Sequence, residues 1–262
     1  MYDRAATSYE RVGPPFFSHF GRRLVNALAL AEGAQVLDVA CGAGAVLLAA
    51  VQRVGASGLV VGVDRARAMV DRTRHEIESR GITNALVVRM DATALASPNC
   101  LFDAVLCGFA LNGLSTPILA LQEFSRVLRA QGQLGMTVSE GWWWEGDERW
   151  QWHSALVESR GVRIDFRPRQ FITTDDLGAA LTEQGFDHVS VVSDSYDLVF
   201  TDAGEWWRWA WSHGYREVLE GMSPFQLERY RAVCFKHLQD RPVDGRLQVF
   251  IASGSKRSKQ AG

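Results

Sequence analysis

The chain has 262 residues, of which 47% are hydrophobic and 22% are charged, and its formal net charge is −2. This composition suits one large α/β domain and argues against the broadly basic surface of a nucleic-acid-binding protein. The four cysteines lack the spacing of a metal site or a disulfide framework. There is no signal-peptide pattern and no membrane-spanning apolar run, so we expect a cytoplasmic protein that does not associate with membranes. We expect it to be a monomer or a homodimer.

The first 30 residues predict a helical segment that precedes the first strand. Pro14 and Pro15 interrupt the chain, and apolar side chains then recur at the spacing of an amphipathic helix. These apolar positions are Phe16, Phe17, Phe20, Leu24, Val25 and Leu28.

A short apolar strand that runs into a glycine-rich turn is the strongest signal in the sequence. Residues 36–39 form the predicted strand, Gly42 and Gly44 the turn, and a small apolar helix follows. A second apolar run then ends on Asp64. Glycine lets the backbone approach a ligand closely, and a carboxylate at this place accepts hydrogen bonds from ribose hydroxyls. The layout therefore predicts a nucleoside-binding crossover unit.

Two side chains bear on which nucleoside is bound. Dinucleotide-binding turns place a third small residue three positions after the second glycine, whereas this chain has Leu47 there. We read the bulky side chain as unfavourable to tight packing of helix on strand around a pyrophosphate. Asp38 lies inside the first strand, where a carboxyl costs free energy unless it is paired. It is suited to orient the glycine turn or to hold a cationic group, and it would repel a pyrophosphate.

The segment 38–44 resembles the first motif of class I S-adenosylmethionine-dependent methyltransferases. Further matches follow in that family's order: Asp64 after the second strand, residues 89–92 after the third, residues 102–107 as the fourth strand, and residues 123–134 leading into the fifth. Small-molecule enzymes of this family, including quinone C-methyltransferases and natural-product methyltransferases, are the most similar group. The resemblance implies a Rossmann-like, doubly wound, mostly parallel seven-stranded α/β sheet with helical lid and cap insertions.

The resemblance also implies S-adenosylmethionine as the cofactor, S-adenosylhomocysteine as the product, and a set of cofactor-binding positions. It further implies one domain over 1–262, with N-terminal lid helices at 1–30, a cofactor-binding core at 31–140, and a substrate cap at 141–170 and 194–244. For Tyr9, packing within the lid is an equally good interpretation. The positions implied to bind the cofactor are Tyr9, Asp38, Ala40, Gly42, Gly44, Asp64, Arg65, Met69, Asp91, Ala92 and Phe109.

Strands and helices alternate after the glycine turn, which is typical of a parallel sheet covered on both faces. We predict a helix over 66–80, a helix that begins at Thr116–Pro117, and a helix capped at Thr174 that ends at Glu183. The last three strands are predicted at 134–138, 189–192 and 247–252.

Nine tryptophans lie in two short segments, 142–152 and 206–211. Three consecutive indoles cannot all face one core, so we expect a cap lined by indoles over an apolar or aromatic acceptor. A cationic amine acceptor and a dimer contact are the alternatives. The predicted acceptor contacts are Asn112, Trp142, Trp143, Trp144, Trp207 and Tyr215.

The expected reaction is methyl transfer to an oxygen, nitrogen or carbon atom of a small metabolite, mainly through positioning. A general base would assist a hydroxyl or carbon acceptor, and the candidates are His153, His213 and Glu140. The sequence predicts no metal site. The alternative is a cyclase or pericyclase that binds S-adenosylmethionine without transferring its methyl group. A regulatory scaffold is disfavoured by the intact motif, and an NAD-linked oxidoreductase is disfavoured by Leu47.

Overall fold

The computed structural model describes residues 1–141, 144, 147–159, 170–238 and 243–258, with the backbone alone for 157–159. The strands are β1 (Gln35–Val39), β2 (Leu59–Asp64), β3 (Ala85–Arg89), β4 (Phe102–Gly108), β5 (Leu128–Ser139), β6 (Phe186–Phe200) and β7 (Val243–Lys256). The helices are α1 (Tyr2–Ala5), α2 (Phe16–Leu28), α3 (Ala45–Val54), α4 (Arg67–Ser79), α5 (Pro117–Val127), α6 (Gln151–Ser159), α7 (Thr174–Glu183), α8 (Ala203–Ala210), α9 (Arg216–Glu220) and α10 (Pro224–Leu238).

The strands form one seven-stranded sheet in the order β3-β2-β1-β4-β5-β7-β6. The strand β1 pairs in parallel with both β2 and β4, β2 with β3, and β4 with β5, whereas β7 pairs antiparallel with β5. Chain order reverses between β1 and β4, which is the switch point where doubly wound sheets bind ligands. The predicted mostly parallel, doubly wound sheet is confirmed.

Glycines in the strands give α3 its close approach to the sheet. A Cβ at Gly62 of β2 would lie 2.5 Å from Leu47 Cδ1, and one at Gly108 of β4 would lie 2.8 Å from Val46 Cγ2. Leu47 is fully buried. Helix α3 therefore packs closely on the sheet despite the bulk of Leu47, because Gly62 supplies the space; that Leu47 disfavours a pyrophosphate remains a prediction.

The predicted helix after Pro15 is confirmed as α2. Leu24 and Leu28 are buried against β5, where a Cβ at Gly135 would lie 2.1 Å from Leu28 Cδ1. Near the start of the helix, Phe17 and Phe20 pack edge-on against Phe109, with ring centroids 5.2 and 5.6 Å apart. Helix α2 is thus a packed layer on the sheet.

The chain divides into two compact units. The first, which we call the tryptophan unit, comprises Met1–Phe16, Gly141–Pro168 and Ser195–Gln248, and contains all nine tryptophans. The second, the sheet unit, comprises Phe17–Glu140, Arg169–Asp194 and Val249–Gly262. The segment predicted as an N-terminal lid, 1–30, is shared between the two, and the single-domain division remains a prediction.

Several predicted boundaries need correction. Strands β5, β6 and β7 each extend well beyond the predicted ranges, and the pairing of β7 with β5 continues as far as Ser255. The cap of α7 is Thr173 and not Thr174: Thr173 Oγ1 accepts from the Asp176 N–H at 3.1 Å, and the Asp176 carboxylate accepts from the Thr173 N–H at 3.0 Å. In the described part of the chain, no helix is both long and apolar enough to cross a bilayer.

Candidate functional site

The turn between β1 and α3 has a left-handed backbone at three positions. The φ angles are +56° at Ala40, +50° at Gly42 and +88° at Gly44. Glycine adopts this conformation at little cost, whereas alanine does so at roughly 1 kcal/mol. Phe109, at the end of the neighbouring strand β4, also has a positive φ of +58°. Strained backbone of this kind clusters at functional sites, and here it lies at the carboxyl ends of β1 and β4.

Asp64 joins the end of β2 to the glycine turn. Its Oδ2 accepts a hydrogen bond from the Gly42 N–H at 2.9 Å, and its Oδ1 accepts from the Ala66 N–H at 2.8 Å. A carboxylate accepts up to about four hydrogen bonds, and these two fix the orientation of Asp64 beside the glycine turn.

Thr73 on α4 holds the same turn from the opposite side, and sequence reasoning missed it. Its Oγ1 donates to the Gly42 carbonyl at 2.6 Å, and the residue is fully buried. The buried face of α4 carries Met69, Val70, Thr73 and Ile77. The signal that could have identified it is a polar residue at i, i+4 spacing within this apolar face.

We expect Thr73→Val to weaken S-adenosylmethionine binding severalfold while the protein stays folded. Valine keeps the volume but removes one hydrogen bond, which is worth about 0.5–1.5 kcal/mol. Calorimetric titration measures the effect, with exposed Thr182→Val on α7 as the matched control because Thr182 Oγ1 also donates to a backbone carbonyl, that of Gly178, at 2.9 Å. Equal affinity in the two variants would contradict the role assigned to Thr73.

The two turn glycines differ in what a side chain would meet. A Cβ at Gly44 would lie 3.1 Å from Thr73 Cγ2, whereas a Cβ at Gly42 would meet nothing nearer than the Ala40 carbonyl oxygen at 4.0 Å. A side chain at Gly44 would therefore point at α4, whereas the open direction of the turn is at Gly42.

Asp38 is a buried acid in the middle of the sheet. It is fully buried, and neither carboxyl oxygen has a hydrogen-bond partner among the described residues. Burial raises the pKa of Asp38 well above its ordinary value, the Leu47 N–H opposes this shift in part, and the Asp64 charge adds to it. The Leu47 N–H does not meet the geometry of a hydrogen bond to either oxygen. The Asp38 carboxyl, four residues before Gly42, therefore has no hydrogen-bond partner among the described residues, and it interacts electrostatically with Asp64.

The other predicted cofactor residues of the sheet unit lie after β2 and β3. Asp91 Oδ1 accepts from the Thr93 N–H at 2.9 Å and from its hydroxyl at 2.7 Å, and these bonds lower the pKa of Asp91. Arg65 is exposed, with its guanidinium 4.0 Å from Asp91. Met69 and Ala92 are buried. Each position is compatible with a nucleoside contact, and each assignment remains a prediction.

Asn112 and Glu140 follow β4 and β5 in the same unit. The Asn112 amide nitrogen donates to the Phe171 carbonyl at 3.2 Å and lies 3.5 Å from the Ser139 carbonyl. Its Oδ1 is buried and has no partner among the described residues. Glu140 is exposed, immediately after the end of β5. Asn112 therefore ties the β4 and β5 ends together through its nitrogen and leaves an acceptor oxygen.

Three predicted residues of the tryptophan unit lie in one buried aromatic cluster. His153 Nε2 is 2.5 Å from the Tyr230 hydroxyl and 3.2 Å from that of Tyr215, and the two hydroxyls are 2.6 Å apart. Trp144 packs on His153 with ring centroids 4.7 Å apart. Burial lowers the pKa of His153 to about 3, so the ring is neutral. Inside this unit, His153 Nε2 and the Tyr215 hydroxyl are hydrogen-bonded to each other and to Tyr230, and their proposed contact with an acceptor remains a prediction.

His213, Trp207 and Tyr9 have partners of their own in the tryptophan unit. His213 Nδ1 donates to the Trp209 carbonyl at 2.7 Å, and burial lowers the pKa of His213 to about 4. Trp207 is half-buried under the Arg231 guanidinium, and Tyr9 packs edge-on against Tyr2 with centroids 6.4 Å apart. The predicted contacts Trp142 and Trp143 lie outside the described residues.

The arrangement in the sheet unit can hold a nucleoside with cationic substituents. It offers a carboxylate fixed in orientation, an open direction at Gly42, and a buried acid, Asp38, that has no hydrogen-bond partner among the described residues. The described residues contain no cluster of histidine, cysteine or acidic side chains able to hold a metal ion.

Comparison with known proteins agrees with this site. A family model for a methyltransferase domain matches residues 36–132, which carry the glycine turn, Asp64 and Asp91. The solved structure of the YcgJ protein from Bacillus subtilis superimposes with a TM-score of 0.62 at 19% identity, covering 92% of this chain and 99% of that one. At this identity the likeness shows the fold alone.

Two curated relatives are methyltransferases by name. The aklanonic acid methyltransferase DauC of Streptomyces sp. (strain C5) is 35% identical over 136 residues, and the match spans 52% of this chain and 62% of that relative, less than two thirds of its length. Nocamycin O-methyltransferase of Saccharothrix syringae is 30% identical over 252 residues, 92% of this chain and 89% of the relative. The chain therefore belongs to the class I S-adenosylmethionine-dependent methyltransferases.

Proposed function

We propose that this protein transfers the methyl group of S-adenosylmethionine to an oxygen, nitrogen or carbon atom of a small apolar or aromatic metabolite. The observation that carries the proposal is the bond between the Gly42 N–H and Asp64 Oδ2 at 2.9 Å, which joins the glycine turn to the acid proposed to bind the ribose. Similarity to nocamycin O-methyltransferase along 92% of the chain supports a small-molecule acceptor.

The residues of the sheet unit fit this cofactor. In the proposed complex, the Asp64 carboxylate accepts from the ribose hydroxyls and Asp91 lies toward the adenine. The open direction at Gly42 leaves room for the methionine portion. The atom nearest to a Cβ at Gly42 would be the Ala40 carbonyl oxygen, at 4.0 Å. When bound, the cofactor supplies a methyl group on a positively charged sulfur that an acceptor displaces in line.

The contribution of the protein is mainly positioning. Aligning acceptor and methyl group removes most of the entropic cost of a bimolecular displacement. In the proposed complex, the Asn112 Oδ1 accepts a hydrogen bond from a hydroxyl or amine of the acceptor, since this buried oxygen has no partner among the described residues. Of the three candidate bases, Glu140 is exposed in the unit that holds the cofactor residues, whereas His153 and His213 are buried among aromatic rings.

The test is a product screen with the purified protein, S-adenosylmethionine and a panel of phenols, quinones and aromatic amines. We expect S-adenosylhomocysteine to form together with an acceptor whose mass is increased by one methyl replacing a hydrogen. An acceptor that is converted without a change in mass, with no S-adenosylhomocysteine formed, would contradict methyl transfer and favour the cyclase alternative.

A further inference from the structure

Among the described residues of the sheet unit, Asp38 is the acid whose two carboxyl oxygens are both buried without a hydrogen-bond partner. It is fully buried at the centre of the sheet, between Gly62 of β2 and Leu106 of β4 in the strand register. No hydrogen bond or ion pair to either oxygen is found among the described residues. A buried carboxylate without a partner is strongly unfavourable, so the group is held as the neutral acid.

The titratable groups around Asp38 reinforce the neutral form. Asp64 at the end of β2 repels a negative charge there, and the thiols Cys41 and Cys107 interact with the same carboxyl. Burial, with the Asp38 charge as a lesser cause, raises the pKa of Cys107 to about 12, and the pKa of Cys41 is also raised well above its ordinary value. Both thiols are therefore uncharged, and no cation among the described residues balances an Asp38 carboxylate.

One feature of the fold would stabilise the ionised form once a cation is present. The Leu47 N–H belongs to the first turn of α3 and acts on Asp38 in the direction that favours its charge. Helix N-termini stabilise nearby anions. Asp38 is thus an acid that burial and Asp64 keep protonated, with a favourable dipole close by.

We propose that cofactor binding drives the ionisation of Asp38, so that one proton is released to solvent as the cationic cofactor enters. The O–H bond of the carboxyl breaks, the proton leaves to buffer, and the carboxylate remains opposite a positive centre of the cofactor, its sulfonium or its ammonium group. This inference rests on the proposed function, since it requires S-adenosylmethionine in the sheet unit.

Calorimetric titration in two buffers tests the inference. The same titration at one near-neutral pH in phosphate and in Tris yields the number of protons released, because the two buffers differ in ionisation enthalpy. We expect about one proton per S-adenosylmethionine for the wild type, and none for Asp38→Asn. Asp64→Asn is the matched control, and it should bind more weakly while still releasing the proton.

The affinity of the wild type provides a second readout. Binding coupled to release of one proton strengthens about tenfold per pH unit, over the range in which Asp38 is neutral in the free protein and ionised in the complex. The affinity of Asp38→Asn should not follow this dependence. S-adenosylhomocysteine keeps the ammonium group but has no sulfonium. Proton release with both ligands therefore identifies the ammonium as the positive centre, whereas proton release with S-adenosylmethionine alone identifies the sulfonium.

Two results would overturn the inference: wild-type binding with equal enthalpy in both buffers, or undiminished proton release by Asp38→Asn. Either would leave the proposed function intact, because the cofactor would still bind. Absence of cofactor binding in every variant and in the wild type is a different result, and it would overturn the proposed function together with this inference.

Discussion

Gly42→Ala is expected to lower the affinity for S-adenosylmethionine at least about tenfold, or roughly 1.4 kcal/mol, in a protein that remains folded. The new methyl group would meet no protein atom nearer than the Ala40 carbonyl oxygen at 4.0 Å, so it would project into the space assigned to the cofactor. The left-handed backbone at Gly42, with φ of +50°, adds a folding cost of roughly 1 kcal/mol for alanine.

Gly81→Ala separates these two effects. Gly81 follows α4, has φ of +63°, and a Cβ there would meet nothing within 4 Å. Alanine therefore carries a similar backbone cost at Gly81, but away from the glycine turn. We expect similar losses of thermal stability in both variants and a loss of affinity only for Gly42→Ala. Equal affinity in the two variants would contradict the location of the cofactor site.

Acidification is expected to destabilise the tryptophan unit by about 4 kcal/mol between neutral pH and pH 5. Burial lowers the pKa of His153 to about 3 and that of His213 to about 4, whereas an unfolded histidine titrates near 6.5. Below pH 6.5 the unfolded chain binds more protons than the folded one, so stability falls as pH decreases. Each histidine contributes about 1.4 kcal/mol per pH unit in this window.

Urea unfolding followed by tryptophan fluorescence measures this loss, because all nine tryptophans belong to the tryptophan unit. His153→Gln and His213→Gln should each flatten the pH dependence by about half, since each removes one of two comparable titrations. His75→Gln on the exposed face of α4 is the control and should leave the dependence unchanged. A stability that stays constant from pH 7 to 5 would contradict the neutral, buried state of both rings.

The parts of the fold that depend on local pattern could be predicted from the sequence. Strands β1 and β2 are short and mostly apolar, the glycine turn follows β1, and β2 ends on Asp64, so the sequence motif predicts where these residues lie in the fold. The strands β5 to β7 were predicted too short because polar residues interrupt their apolar pattern, whereas in the fold β7 pairs with β5 through the polar residues Ser253 and Ser255. Strand pairing depends on residues that are distant in sequence, so the hydrophobic periodicity of a single segment cannot predict it.

The missed residues share this cause. Thr73 contacts Gly42 across 31 positions of sequence, and Gly62 matters only because Leu47 needs its space. His153 was interpreted as a general base because it follows a tryptophan-rich segment, yet its partners Tyr215 and Tyr230 lie far along the chain. A lone histidine in aromatic sequence gives no indication of which hydroxyl groups the fold will bring to it.

Titration of the purified protein with S-adenosylmethionine, S-adenosylhomocysteine and NAD measures which ligand the glycine turn and Asp64 bind. We expect binding of the first two ligands with Kd in about the micromolar range and no binding of NAD. Binding of NAD alone, or of none of the three, would refute the assignment of the cofactor to this turn.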